Sequence, residues 1–105
     1  MTSFMIGYYG GRTPSSKEDG TEHMQKWKEW ISSLGSSVIN AGTPLLNSSL
    51  ITKDGVEKDS STSSMKGFAI IKAESLSKAI EMAKRDPFLM IDGTIRISEM
   101  VEMKN

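Results

Sequence analysis

Two amphipathic helices, each flanked by short apolar strands, constrain this chain more than any other feature. The first helix is read over residues 21–34, where Met24, Trp27, Trp30, Ile31 and Leu34 recur at spacings of three, three, one and three. That spacing makes one face of a helix and does not suit a strand. Gly35 follows, at the place where helices commonly end. The second helix is read from an N-cap at Ser75 to about Lys84, with Leu76, Ala79, Ile80 and Ala83 on its apolar face. Asp86-Pro87 closes it, because the residue before a proline is pushed out of the helical region.

The strands fall around these helices. Residues 4–9 (FMIGYY) read as a first strand stopped by Gly10-Gly11, and residues 12–20 read as a polar loop with Pro14 and Gly20. Residues 36–46 read as a second strand, made irregular by Gly42 and Pro44 and so placed near an edge. Leu50 to Thr52 and Val56-Glu57 flank Asp54-Gly55 as a small hairpin. Residues 58–64 (KDSSTSS) read as a polar loop, and residues 67–73 (GFAIIKA) as the clearest strand. Residues 88–91 make an apolar connection and Asp92-Gly93 a turn. Residues 94–101 make a last strand, with Ile95, Ile97 and Val101 on one side and Arg96 and Ser98 on the other.

The order is strand, helix, strand, hairpin, strand, helix, strand. It predicts an α+β, ferredoxin-like βαββαβ fold in one domain over residues 1–105, with an antiparallel sheet and both helices on one face. The other face then has no cover within the chain. It carries either Ile6 and Tyr8 or Met5 and Tyr9, and one of the sets Phe68/Ile70 or Ala69/Ile71. A bare apolar face is costly, so a homodimer packed sheet to sheet is expected.

Composition narrows the function. Thirteen basic and thirteen acidic side chains leave no formal net charge, which argues against a nucleic-acid partner held by a basic footprint. The chain has no cysteine and one histidine, so disulfides, thiol nucleophiles and multi-histidine metal sites within one chain are excluded. No stretch approaches the roughly 18–20 apolar residues of a membrane span. The opening residues lack the pattern of a secretory signal, and a cytoplasmic protein is expected.

The single histidine, His23, lies at about 260° on a helical wheel with Met24 at zero, inside the arc of about 240–340° held by Trp30, Leu34, Trp27 and Ile31. It therefore faces inward from the start of its helix. Imidazole is the side chain suited to proton transfer near neutral pH. His23 could equally donate to a backbone carbonyl. Asp86 could cap local backbone amides, or hold a histidine in one tautomer. Arg12 is either a solvated loop charge or an anion clamp. Tyr8, Tyr9, Asn40 and Thr43 could line a pocket or pack at an edge. Trp27 and Trp30 read as packing anchors, and no phosphate loop or acylating serine motif occurs.

The segments EHMQKWKEWISSLGSSVINAGTPL (residues 22–45) and KGFAIIKAESLSKAIEMAKRDPFL (residues 66–89) resemble the YCII-related domain family, which includes the DGPF-type proteins. The resemblance implies a ferredoxin-like fold that dimerises into an α+β barrel. It also implies a His/Asp pair, matched here by His23 and Asp86. One branch of that family is similar to dehydrochlorinases of aromatic degradation. The chain departs from the DGPF pattern at residues 59–65, where a serine tract (DSSTSSM) stands.

The expected function is that of a small cofactor-free enzyme. His23 would move a proton, Asp86 would orient it, and Arg12 or a tyrosine would steady an anionic or phenolic substrate. The competing reading is a non-catalytic dimeric domain that binds a small molecule. An oxygenase-like barrel with His23 as a haem ligand ranks below both, since no flavin or haem motif accompanies it.

Overall fold

Residues 65–73 alternate side chains against a core with side chains facing away from it, as a strand with one covered face must. This strand is the centre of the molecule. The computed structural model describes residues 1–59 and 64–103. Within them the order is β1 (Thr2–Gly10), α1 (Lys17–Leu34), β2 (Val38–Pro44), β3 (Ser49–Thr52), β4 (Gly55–Lys58), β5 (Met65–Ala73), α2 (Leu76–Ala83) and β6 (Gly93–Glu99). Four strands form one sheet in the order β2-β5-β1-β6, and among the described residues β3 pairs only with β4. All pairs are antiparallel. The fold is the expected ferredoxin-like α+β arrangement.

The register decides which faces meet. Phe4 lies opposite Ile71, Ile6 opposite both Ala69 and Ile97, and Tyr8 opposite Gly67 and Ile95. This set points toward the helices. Phe4, Ile6, Ala69, Ile71 and Ala73 are buried with Trp30 of α1 and Ala79 and Ala83 of α2. The Trp30 indole donates to the Met82 carbonyl at 2.9 Å and so ties α1 to α2. The opposite set, Met5, Tyr9, Phe68 and Ile70, takes the face away from the helices. There Arg96 stacks over the Tyr9 ring, 5.3 Å from its centroid.

Helix α1 begins earlier than its apolar spacing suggested. Ser16 is the N-cap, its side chain accepts from the Asp19 backbone N–H at 3.0 Å, and Glu18 and Asp19 occupy the first turn. A cap of this kind with acidic residues after it starts a helix well, and Gly20 is carried inside rather than breaking it. His23 therefore sits in the second turn. The last strand ends at Glu99, and Val101 is exposed rather than turned to the core. The second strand starts at Val38, after a single 3-10 turn over Gly35–Ser37. Lys58 closes β4, and residues 60–63 of the serine tract lie outside the described residues.

Candidate functional site

The end of the sheet at which β1 finishes and β5 starts holds a cavity of about 300 Å³. Helix α1 supplies His23, Met24 and Trp27 to its wall, β1 supplies Tyr8, and the bulged end of β2 supplies Gly42, Thr43 and Pro44. Lys66, Gly67 and Phe68 of β5 line it too, with Asp86 and Phe88 beyond α2. The wall is mostly apolar, with few polar groups converging on it, which is the usual make-up of a small-molecule site.

Asp86 is the polar anchor. It is 2% exposed. Its Oδ1 accepts from the Phe88 backbone N–H at 2.9 Å, capping the 3-10 turn Pro87–Ile91. Its Oδ2 accepts from the Tyr8 phenol at 2.5 Å, across 78 residues of sequence. Oδ1 thus fills the expected capping role, whereas the partner of Oδ2 is Tyr8 and not the expected histidine. Burial pushes the Asp86 carboxyl above its ordinary value, opposed by the Tyr8 and Phe88 hydrogen bonds and by the charge of His23. Burial also pushes the Tyr8 phenol well up, and the neighbouring Asp86 carboxylate adds to this. Tyr8 therefore stays protonated and acts as a donor.

His23 is half-buried and lines the same cavity. Among the described residues no hydrogen bond or ion pair joins it to Asp86; the two are linked through the field across the cavity. The Phe88 ring meets Tyr8 edge-on, with centroids 5.0 Å apart and planes at 65°, and so fixes the phenol from the side.

Three other predicted residues stand outside this wall. Arg12 is held by Asp19, from Nη1 to Oδ2 at 3.2 Å, and by Asp92 at 3.8 Å from Nε. Its expected role as an anion clamp is replaced by a link between the β1–α1 loop, the start of α1 and the turn before β6. Tyr9 alternates onto the far sheet face, where Arg96 covers it. Asn40 spends its amide locally, donating to Thr43 Oγ1 at 3.1 Å and accepting from the Gly42 N–H at 2.8 Å. Thr43, weighed with them, does reach the cavity.

Lys66 and Phe88 were missed. Phe88 read as part of a plain connection. Among the described residues Lys66 is the one lysine or arginine on the wall, and its ammonium also donates to Ser64 Oγ at 3.4 Å. The available signal was positional: both lie at the sheet end that Tyr8 and Asp86 share. Among the described residues no three His, Asp or Glu side chains gather as metal ligands. No helix there is long and apolar enough to cross a membrane.

No family model matches this chain, and no curated protein does. Among solved structures the chain is similar to 5-chloro-2-hydroxyhydroquinone dehydrochlorinase from Burkholderia phenoliruptrix AC1100, solved as a complex with 2,5-dihydroxybenzoquinone. The identity is 19%, the TM-score is 0.59, and the match covers 96% of this chain and 95% of that one. At that identity the two share a fold, the ferredoxin-like arrangement of a βαββαβ chain.

Proposed function

We propose that the cavity binds a small hydroxylated aromatic or quinoid molecule and performs cofactor-free proton transfer or elimination on it, as a YCII-related protein. The observation that carries this reading is the placement of the chain's single imidazole on one apolar cavity with a buried, tyrosine-bonded carboxyl. In it His23 is the proton carrier. Tyr8 is engaged as a donor to Asp86, and His23 is the cavity side chain suited to exchange a proton near neutral pH. Asp86 favours the imidazolium that forms as His23 takes a proton. Trp27 and Phe88 supply flat apolar walls for a ring. The fold of the dehydrochlorinase and its quinone complex support the choice of ligand class.

On a halogenated hydroquinone the chemistry balances without an oxidant. One hydroxyl proton moves to the halide-bearing carbon, a second hydroxyl proton is taken up, and the halide leaves. The net change is loss of HX and formation of a quinone. His23 can take and return these protons in turn.

The test is titration with 2,5-dihydroxybenzoquinone, followed by assay of chloride release from a chlorinated hydroxyhydroquinone. His23→Gln should lower turnover by about 100- to 10,000-fold while binding persists. Binding by the native chain with no turnover, unchanged in His23→Gln, would select the competing reading of a ligand-binding domain. The absence of binding would remove both.

A further inference from the structure

Tyr8 and Asp86 meet on the cavity wall, and the direction of the bond between them decides what that corner offers a ligand. An ionised carboxyl has only acceptors, so the Tyr8 phenol must donate. A phenol has a single proton to give. With that proton turned to Asp86 Oδ2, the Tyr8 oxygen presents lone pairs alone. Asp86 adds no donor, and its Oδ1 accepts from the Phe88 backbone N–H at 2.9 Å. Among the described residues the other polar side chains on the wall are His23, Thr43 and Lys66, and each of them can donate. The Tyr8–Asp86 corner is therefore where the side chains of the wall only accept.

The phenol is held that way round. Turning its O–H toward a ligand would strip a charge-assisted hydrogen bond from a carboxyl that is 2% exposed. Leaving a buried acceptor unpaired is costly. The Phe88 ring packs edge-on against Tyr8, so the aromatic ring is fixed by packing as the hydroxyl is fixed by Asp86.

We infer that Tyr8 determines specificity: its oxygen accepts from a ring hydroxyl and disfavours a ring carbonyl in the same place. This rests on the reading of the cavity as a site for hydroxylated rings. Two acceptors set face to face form no bond, and both give up water on contact, so a carbonyl turned to this corner leaves two oxygens unpaired. A site built to bond a hydroxyl discriminates against an analogue that cannot donate. For the proposed chemistry the consequence is a direction. A hydroquinone brings a proton to Tyr8, and the quinone formed from it has fewer to offer, so the corner holds the substrate and favours release of the product. A ring that carries both groups turns a hydroxyl this way.

The test uses two flat, neutral rings of one shape: 4-methylphenol, which donates, and 1-methyl-4-pyridone, which only accepts. Calorimetry gives their dissociation constants for the native chain and for Asp86→Asn. The asparagine has its orientation imposed. The Phe88 N–H needs an acceptor, so the amide oxygen faces it, and the amide nitrogen takes the place of Oδ2 and donates to Tyr8. The Tyr8 O–H then turns to the cavity as a donor. The ratio of the two affinities should shift toward the pyridone by at least about tenfold; the different hydration of the two rings cancels between the proteins. Tyr8→Phe removes the acceptor while keeping the carboxyl, and should shift the ratio in the same direction. It carries the test if Asp86→Asn does not fold, with circular dichroism as the check. Both rings binding with a ratio that is unchanged in the variants, or shifted toward the phenol, overturns the inference and leaves the cavity a ring-binding site. A native chain that binds neither ring overturns the inference together with the ligand class on which it rests.

Discussion

Each oxygen of Asp86 accepts one hydrogen bond from its own chain. The Phe88 backbone N–H takes Oδ1 and the Tyr8 phenol takes Oδ2, in a site almost closed to solvent. A buried carboxyl of this kind binds its proton more tightly in the folded chain than in the unfolded one. It contributes most below the ordinary carboxylate value of about 3.9, and that contribution is lost as pH rises through its raised value. Asp86→Asn removes the dependence while keeping one acceptor. The variant should be less stable than the native chain at acidic pH, with the gap narrowing toward neutrality. Urea unfolding at a series of pH values from about 4 upward measures it. A gap that widened with pH would mean that the hydrogen bonds and His23 outweigh burial.

At the scale of elements, the site depends on how closely three chain segments approach. Gly93 opens β6, and a Cβ there would overlap the Phe88 ring and its carbonyl oxygen. Gly11, at φ +83°, leaves the same ring room from the other side, where a Cβ would stand 3.0 Å from Phe88 Cζ. Gly11, which read as a strand stop, and Gly93, which read as part of a turn, thus make the slot for Phe88, and Phe88 in turn flanks Tyr8. The positive φ of the Asp92-Gly93 turn falls on Asp92 and not on the glycine. Gly93→Ala should cost about 1–3 kcal/mol, the usual range for overpacking. It should also weaken ligand binding, because Phe88 must move into the cavity wall. Thermal unfolding and calorimetry report the two effects separately. Ser16→Ala offers a contrast: loss of the α1 cap should cost about 1 kcal/mol, with ligand affinity nearly unchanged, since the cavity begins a turn further on.

At the scale of the whole molecule, the chain is broad and thin. Its extents are 48 × 44 × 17 Å and its radius of gyration is 15.3 Å, against about 13 Å for a compact 100-residue domain. The thin dimension is one helix layer on one sheet, and the unpacked hairpin contributes to the breadth. One sheet face is sealed by helices and the other is not, and the cavity lies between α1 and the end of the sheet. A ligand that binds only the folded chain should stabilise it by about 2.7 kcal/mol at a hundredfold excess over its dissociation constant. A thermal shift with 2,5-dihydroxybenzoquinone checks this, and its persistence in His23→Gln would separate binding from proton transfer.

The sequence by itself determined the order of elements, the antiparallel α+β class, the cap at Ser75, the stop at Asp86-Pro87 and the inward face of His23. These depend on neighbours within a few residues, whose spacing is set by the period of a helix or strand. The start of α1 was also legible at Ser16 and Asp19, but Gly20 concealed it. Only the tertiary structure decided that Tyr8 and not Tyr9 faces the cavity. That choice depends on the register of β1 against β5 and β6, and a shift of one residue would reverse it. The same register brings the Tyr8 phenol to Asp86, and the packing of the β1–α1 loop against the turn before β6 draws Arg12 to Asp19 and Asp92. It also sets Lys66 at the cavity end of β5. Pairings between residues so far apart in the chain leave no periodic trace, because burial and packing choose them after the local elements have formed.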